Sequence, residues 1–327
     1  MPALDELRAG KPPVGIRLMH ALGKEPDWDT ISPEQLAVLR TKENRKRQSK
    51  LARLITGFPD RGAGIEWREL ALPGRRLPVR VYRPMRHQGG ELPLIVHIHG
   101  GGFVGTAAQS DWVNSYLAAQ LPALVVSVEH RLLAHDTAIT AGVDDGWDVL
   151  QTVVENAAEW GVDSSRIAVF GESTGGLIAA VAAIRARESG LQLRAQVLVN
   201  ACVDLTTARY DLPSMSTYAD SPTLTTAQIE LFCRLAVPEG IDPRPLSPLQ
   251  ADDLSGLPPA LLIVPTFDPV SDQARRYAAR LRNAGIPAQL TEYEGATHAF
   301  LSMPAVVPQA KPARAEILEY LSARLAD

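Results

Sequence analysis

The sequence predicts an α/β fold, with a mostly parallel sheet of eight strands and helices on both faces. From about residue 65 onward, short runs rich in β-branched residues alternate with longer segments of helical spacing, a pattern typical of strand–helix–strand units. Some of these runs are apolar throughout, as at 94–96 and 124–126, which indicates strands covered on both faces. The predicted strands are 65–72, 78–82, 92–97, 123–129, 166–170, 196–200, 260–264 and 288–293.

The first two predicted strands should form an antiparallel hairpin, because only the turn-forming residues 73–76 separate them. Between the later strands, apolar residues recur at helical spacing over 143–160, 176–187 and 271–284. Helices are expected at these positions.

Two segments do not follow this alternation. Residues 1–60 are polar and helix-biased and contain no predicted strand. Within them, residues 40–53 carry seven lysines or arginines against one glutamate, which we interpret as a solvated helix face or a linker. Residues from about 204 to 253 contain six prolines and are predicted to be loop-like, covering one end of the sheet.

The composition restricts the function. With 46% apolar and 21% charged residues, the 327-residue chain has the composition of a globular protein. A net charge of −4 argues against nucleic acid as a partner.

No run of about 18 apolar residues occurs, and residues 1–21 lack the apolar stretch of a secretory signal. We therefore expect no stable membrane insertion and a cytoplasmic location. The only two cysteines, Cys202 and Cys233, exclude a disulfide scaffold, and no spacing is typical of a metal site.

A nucleophile motif lies at residues 171–175, which read Gly-Glu-Ser-Thr-Gly. This G-x-S-x-G sequence directly follows the predicted strand 166–170 and directly precedes the small residues of 176–183, the context in which such a motif forms a strained turn. The turn requires small neighbours and places the hydroxyl of Ser173 at a helix N-terminus, where the dipole favours negative charge. Ser173 is the predicted nucleophile.

A base and an acid follow from the order of residues along the chain. Among seven histidines, only His298 comes after Ser173, and the order serine, acid, histidine is typical of hydrolases with this turn. Asp268 closely follows the strand 260–264 and could hold the imidazole tautomer. Asp272 is the nearby alternative, although an acid in the first turn of the next helix is common for dipole reasons alone.

A glycine loop, residues 99–103, has two interpretations. The sequence His-Gly-Gly-Gly-Phe can expose backbone N–H groups that stabilise an oxyanion together with the N–H of Thr174, the residue after the nucleophile. The stretch 100–105 also spells G-x-G-x-x-G, and Glu129 follows at the end of the next strand, which matches a dinucleotide-binding fingerprint. That alternative does not use His99 and leaves the nucleophile and base motifs unexplained.

From about residue 78 to residue 303, the sequence resembles the hormone-sensitive-lipase-like family of α/β-hydrolase esterases. The resemblance rests on the glycine loop 99–103, the elbow 171–175, the Asp-Pro pair 268–269 and the segment 298–301. It implies a catalytic α/β-hydrolase domain that hydrolyses carboxylic esters.

The resemblance also implies a domain organisation. The α/β-hydrolase domain would span 61–327, with a helical cap made of the N-terminal segment 1–60 and an insertion at about 204–253. We expect a serine carboxylesterase that forms an acyl-enzyme from a small-molecule ester with a short acyl chain, without cofactor or metal. A homodimer through the last strand, 288–293, is expected from the family.

The resemblance assigns the site residue by residue. The implied catalytic residues are Ser173, Asp268 and His298, and the implied oxyanion donors are the N–H groups of Gly101, Gly102 and Thr174. Motif support is expected from His99, Gly100, Gly171, Glu172 and Gly175.

Several positions depart from the family pattern. Thr174 replaces the usual alanine, Ser271 replaces an arginine, and Ala299 replaces the glycine after the histidine. Residues 130–135 lack a proline that the family usually has there. This altered stretch motivates an alternative function, a hydrolase-fold enzyme recruited for a lyase, cyclase or epimerase step in specialised metabolism. A receptor that only binds its ligand is a third hypothesis, disfavoured because all three triad residue types are present.

Overall fold

The computed structural model describes residues 11–23, 26–87 and 89–326. The first ten residues of the expected cap segment 1–60 lie outside the described residues. Within the described ranges, eight strands form one sheet and two short strands form a separate hairpin. The strands are β1 (Ala63–Leu72), β2 (Arg75–Pro84), β3 (Leu92–Ile98), β4 (Leu124–Val128), β5 (Val162–Glu172), β6 (Ala195–Val199), β7 (Asp220–Ser221), β8 (Leu224–Thr225), β9 (Ala260–Phe267) and β10 (Ala288–Thr297).

The large sheet has the strand order β1-β2-β4-β3-β5-β6-β9-β10. β1 and β2 form the predicted antiparallel hairpin, with Leu72 opposite Arg75 and Gly74 at a φ of +71° in the turn, where glycine is favoured. β2 also runs antiparallel to β4, and the other neighbouring pairs are parallel. The predicted mostly parallel sheet of eight strands is confirmed, and β10 lies at its edge.

Alternate residues of the central strands face two apolar layers. In β3, Leu94 and Val96 pack in one layer, while Ile95 packs in the other together with Val125 of β4. All seven residues of β3 are buried, as predicted from its continuously apolar sequence. Helices cover both layers, because neither face of such a strand tolerates water.

The α-helices of the described residues include three that match the predicted helical segments, and several others. Two helices without a predicted counterpart, α4 and α11, cover the layer that contains Ile95. The helices are α1 (Val14–Leu22), α2 (Pro33–Gln48), α3 (Arg53–Thr56), α4 (Asp111–Gln120), α5 (Ile139–Glu155), α6 (Ala157–Trp160), α7 (Thr174–Ser189), α8 (Pro213–Thr217), α9 (Thr226–Ala236), α10 (Ser271–Asn283) and α11 (Ala310–Leu325).

The insertion at about 204–253 is more ordered than its prolines suggest. The prediction of a loop-like segment is wrong for α9, an 11-residue helix. Thr225 caps its N-terminus, accepting a hydrogen bond from the backbone of Gln228, whose side chain accepts one in return. Phe232 and Leu235 on its buried face join the core. None of the six prolines falls within α9, so the segment contains a helix bounded by loops.

The basic segment 40–53 is only in part the predicted solvated face. Arg45 is exposed, whereas Arg40 and Arg47 are half-buried. Arg40 donates hydrogen bonds to two backbone carbonyl groups. The interpretation as a purely solvated face or linker is therefore wrong for this part of α2.

Two further properties of the described residues concern the membrane and the thiols. No helix in the described ranges is long and apolar enough to cross a membrane. Cys202 and Cys233 are free and buried. Burial raises the pKa of the Cys233 thiol to about 11 and that of Cys202 well above its ordinary value, so both thiols stay protonated and are poor nucleophiles.

Candidate active site

The nucleophile motif forms a strained turn between β5 and α7. Ser173 has a φ of +53° and a ψ of −117°, a combination that costs free energy for any residue with a side chain. A Cβ on Gly171 would lie 2.1 Å from the carbonyl oxygen of Gly175, and a Cβ on Gly175 would lie 2.1 Å from that of Ile98. Gly171 is therefore required for the turn to close, and Gly175 is required for it to pack against β3.

A chain of two short hydrogen bonds connects Ser173 to His298 and Asp268. The hydroxyl Oγ of Ser173 lies 2.7 Å from Nε2 of His298, and Nδ1 of His298 lies 2.7 Å from Oδ2 of Asp268. The other oxygen of Asp268 accepts a hydrogen bond from the backbone N–H of Val270 at 3.0 Å. Asp268 is fully buried, so its carboxylate has a fixed orientation toward the imidazole.

The strand ends explain why these residues meet. Ser173 follows β5, Asp268 follows β9 and His298 follows β10, and the carboxyl ends of parallel strands lie at one edge of the sheet. Asp272, the alternative acid, lies elsewhere: it accepts a hydrogen bond from the backbone N–H of Ser214 at 2.9 Å and pairs with Arg275 at 2.8 Å. The structure thus brings Asp268, and not Asp272, to His298.

The glycine loop and the start of α7 present unused backbone donors. Within the described residues, the N–H groups of Gly101, Gly102 and Thr174 donate no hydrogen bond to another protein group. Gly101 has a φ of +103°, and a Cβ there would lie 1.8 Å from the carbonyl oxygen of Val104. A Cβ on Gly102 would lie 2.4 Å from the ring of Phe232. Any side chain at these two positions would therefore close the space beside the loop.

His99 and Gln109 hold the orientation of one of these donors. Both side chains contact the carbonyl oxygen of Gly100 at 3.0 Å, His99 through Nδ1 and Gln109 through Nε2. This carbonyl belongs to the same planar peptide unit as the N–H of Gly101, so fixing one fixes the other. His99 also stacks on His130, with ring centroids 4.2 Å apart. Burial lowers the pKa of His99 well below its ordinary value, which favours the neutral ring.

Glu172 and His97 lie behind the turn and not in the open site. The carboxylate of Glu172 is buried and accepts hydrogen bonds from Ser302 at 3.2 Å and Ser110 at 3.4 Å. His97 is buried and contacts Ser127 at 2.8 Å through Nδ1. These contacts place both side chains in the packing behind the turn.

One carboxylate oxygen of Glu129 is bonded within the protein. Its Oε2 accepts hydrogen bonds from the backbone N–H of Ala107 at 2.6 Å and from the hydroxyl of Thr106 at 3.1 Å. A Cβ on Gly105 would lie 2.5 Å from the carbonyl oxygen of Gly100, so the glycine loop folds back on itself. This geometry does not support the dinucleotide-binding interpretation.

Sequence reasoning missed the residues that support the glycine loop from a distance. Arg40 donates to the carbonyl oxygen of Phe103 at 2.9 Å, and Leu133 donates its N–H to the carbonyl oxygen of Gly102 at 2.7 Å. These contacts use backbone carbonyls, so no motif marks them. In the sequence, Arg40 is one of seven basic residues within 40–53, and no pattern distinguishes it from the others. Across the described residues, no cluster of three or more His, Cys, Asp or Glu side chains is arranged to hold a metal ion.

Comparison with known proteins gives a consistent result. The sequence profile of a family with the alpha/beta hydrolase fold matches residues 95–302. A carboxylesterase of Mycobacterium tuberculosis is 41% identical over 246 residues, covering 72% of this chain and 75% of the relative. An ethyl acetate hydrolase of Pseudomonas putida is 32% identical over 88% of this chain and 91% of its own length. The solved structure of a hyperthermophilic esterase from the archaeon Pyrobaculum calidifontis superposes with a TM-score of 0.83 at 30% identity, covering 96% of this chain and 98% of that one.

Proposed function

The chain belongs to the hormone-sensitive-lipase-like family of α/β hydrolases, and from this premise we propose that it is a serine carboxylesterase acting on small-molecule esters. The observation that carries the proposal is the hydrogen-bonded chain from Ser173 through His298 to Asp268, beside three backbone N–H groups without protein partners. Ester hydrolysis is also the activity for which several of its relatives are named.

The proposed reaction begins with attack of Ser173 Oγ on the ester carbonyl. His298 takes the hydroxyl proton on Nε2, while Asp268 accepts the hydrogen bond from Nδ1–H and stabilises the imidazolium that forms. His298 then gives this proton to the leaving alcohol, and an acyl-enzyme remains on Ser173. Water, activated by the same histidine, releases the acid and restores the serine.

The negative charge of each tetrahedral intermediate needs preorganised donors. We assign this role to the N–H groups of Gly101, Gly102 and Thr174. In related acyl-transfer chemistry, removal of one such donor lowers the rate by a factor on the order of 10²–10³. Thr174 begins α7, so the helix dipole adds to the stabilisation. Its hydroxyl lies beside Gly102, 3.2 Å from the position of a Cβ there.

Both parts of the expected cap contact the glycine loop, which supports the proposed cap. Arg40 of α2 hydrogen-bonds the loop from the segment 1–60, and Phe232 of α9 lies against Gly102 from the insertion. Trp28 packs on Phe103 with ring centroids 5.5 Å apart. Aromatic side chains this close to the proposed oxyanion site, together with the ethyl acetate hydrolase among the relatives, support a short acyl chain.

We also propose a homodimer through the edge strand β10. Light scattering on the purified chain would measure its oligomeric state.

Kinetics on a panel of p-nitrophenyl esters of increasing acyl length test the function. Replacing Ser173 with alanine should lower kcat by roughly 10⁴–10⁶-fold, since no other group supplies the nucleophile. The matched control is Ser164→Ala, an exposed serine on β5, which should retain wild-type rates. A fluorophosphonate should label the wild type and the control at Ser173, as mass spectrometry would report.

Two results would contradict the proposal. Ser173→Ala with undiminished ester hydrolysis would remove the mechanism. Labelling at Ser173 without turnover of any ester on the panel would instead support the alternative of a fold recruited for a lyase, cyclase or epimerase step.

A further inference from the structure

One face of α2 contacts the glycine loop through three polar side chains. Arg40, Asn44 and Gln48 are spaced four residues apart, so they lie on the same side of the helix. Asn44 accepts a hydrogen bond from the backbone N–H of Gly105 at 2.9 Å, and Gln48 donates to the hydroxyl of Thr106 at 3.4 Å. The helix therefore runs along the loop that follows the proposed oxyanion donors.

Arg40 makes the strongest of these contacts. Its Nε donates to the carbonyl oxygen of Phe103 at 2.9 Å, and its Nη2 donates to the carbonyl oxygen of Leu133. Leu133 in turn donates its own N–H to the carbonyl oxygen of Gly102 at 2.7 Å. One guanidinium thus joins the glycine loop to the segment after β4, and both ends of the connection adjoin Gly102.

Contacts from other segments matter for the position of this loop. Three consecutive glycines have no side chains to pack, and glycine has the largest conformational freedom of any residue. The supporting segment 130–138 contains no proline to restrict it. A planar guanidinium offers several donors in a rigid fork, and its charge makes each hydrogen bond stronger than a neutral one.

We propose that Arg40 is a positioning residue that holds the oxyanion hole in its productive geometry. It does not touch the substrate; it holds the peptide unit 103–104 directly and, through Leu133, restrains the unit 102–103. These units directly follow the two that carry the N–H groups of Gly101 and Gly102, so Arg40 limits how far those donors can move. The inference rests on the proposed esterase function. It assigns the N-terminal helix a role in transition-state stabilisation beyond that of covering the site.

The test compares Arg40→Met with Arg45→Met in the full-length chain. Methionine keeps an apolar stem and removes every donor. Arg45 is on the same helix but exposed, and it makes no side-chain hydrogen bond or ion pair within the described residues. With p-nitrophenyl acetate, Arg40→Met should lower kcat about 10- to 100-fold, since a misplacement near 1 Å costs up to about 10²-fold. KM should stay within about threefold, and Arg45→Met should match the wild type.

A second readout separates positioning from general loosening of the cap. A short-chain alkyl trifluoromethyl ketone adds to Ser173 and places its oxyanion where the transition state has one, so its inhibition constant should rise in proportion to the loss in kcat/KM. Arg40→Lys, which keeps the charge and can satisfy one carbonyl at a time, should recover part of both losses. Circular dichroism and thermal melts would establish that each variant is folded.

The inference is overturned if folded Arg40→Met matches Arg45→Met in kcat, or if its kcat falls while inhibition by the ketone is unchanged. Failure of the esterase proposal looks different: either the wild type hydrolyses no ester, or Ser173→Ala hydrolyses esters at the wild-type rate. Measuring the wild type and Ser173→Ala beside the Arg40 variants therefore distinguishes the two failures.

Discussion

At the scale of single residues, Ala299 has an unfavourable backbone conformation. It directly follows His298 and has a φ of +59° and a ψ of +22°, the left-handed region in which a Cβ crowds the following carbonyl oxygen. Its own carbonyl accepts a hydrogen bond from the backbone of Ser302 at 3.1 Å. The turn that positions the proposed general base therefore contains backbone strain, at the position where the family usually has glycine.

Replacing Ala299 with glycine should increase the free energy of unfolding by about 0.5–1 kcal/mol. The left-handed conformation destabilises the folded state by about 1–2 kcal/mol for alanine, and glycine removes this strain. Glycine also has more conformational freedom in the unfolded chain, which lowers stability by about 0.4–1 kcal/mol. Urea denaturation followed by circular dichroism measures the change. Ala305→Gly, an exposed alanine without a positive φ, is the control and should destabilise. A loss of stability in Ala299→Gly would refute the argument.

The residues of the proposed triad could be predicted from the sequence, and those that support the glycine loop could not. Ser173, Asp268 and His298 occur in a fixed order at strand ends, so their positions in the sequence are informative about their neighbours in space. Arg40 and Leu133 act through backbone carbonyls, which every residue has, and their partners are more than 25 residues away in the chain. No local pattern can encode such contacts.

At the scale of secondary-structure elements, α9 restricts the space beside the glycine loop. A Cβ on Gly102 would lie 2.4 Å from the ring of Phe232 and 3.2 Å from Oγ1 of Thr174. Both distances are shorter than an ordinary contact. The insertion helix therefore limits what the glycine loop can accommodate.

We expect Gly102→Ala to lower kcat/KM strongly. The double variant with Phe232→Leu should have a kcat/KM at least about tenfold higher than that of Gly102→Ala alone. The new methyl group forces the ring or the loop to move, and crowding of this kind costs typically about 1–3 kcal/mol. A smaller side chain at 232 removes the main clash, so the two effects should not be additive. Ile229→Val, a change elsewhere on α9, should give no recovery. Purely additive effects on kcat/KM would show that the ring of Phe232 does not clash with the new methyl group, and would contradict the prediction.

The strands of the sheet could be predicted from the sequence, whereas the helix α9 could not. All eight strands of the sheet were predicted: the central parallel strands from their apolar runs, and the hairpin of β1 and β2 from the turn residues between them. The helix α9 was missed because six prolines dominate the composition of the insertion, although Thr225 and Gln228 form a capping box at its start. The proline count describes the loops around a helix and says little about the helix itself.

At the scale of the whole molecule, two buried histidines couple folding to pH. The rings of His99 and His130 stack 4.2 Å apart and are both buried. Burial lowers the pKa of each, and the neighbouring His130 lowers that of His99 further. Arg47 and His97 also disfavour a charge on His99. The backbone carbonyl groups of Arg131 and His99, and then Asp145, favour a charge on His130, but burial outweighs them. Folding therefore selects the neutral form of both rings.

The sign of the pH dependence follows from these directions. Above about pH 6.5, the usual pKa of histidine, both rings are neutral in the folded and the unfolded chain, and their contribution to stability is complete. As the pH falls below this value, the unfolded chain binds protons that the folded chain does not. The free energy of unfolding should then decrease by up to about 1.4 kcal/mol per pH unit for each histidine. The decrease ends below the lowered pKa values of the folded state.

Urea unfolding between pH 7.5 and pH 5.5 measures this slope, and His130→Phe should reduce it by up to about 1.4 kcal/mol per pH unit. Phenylalanine keeps a ring against His99 but cannot titrate, so one of the two proton-linked terms disappears. The difference between the two slopes cancels the contribution of carboxylates, which are shared by both proteins. His20→Gln replaces an exposed histidine and should leave the slope unchanged. If His130→Phe has the slope of the wild type, protonation of His130 does not oppose folding, and acid sensitivity must arise from other groups.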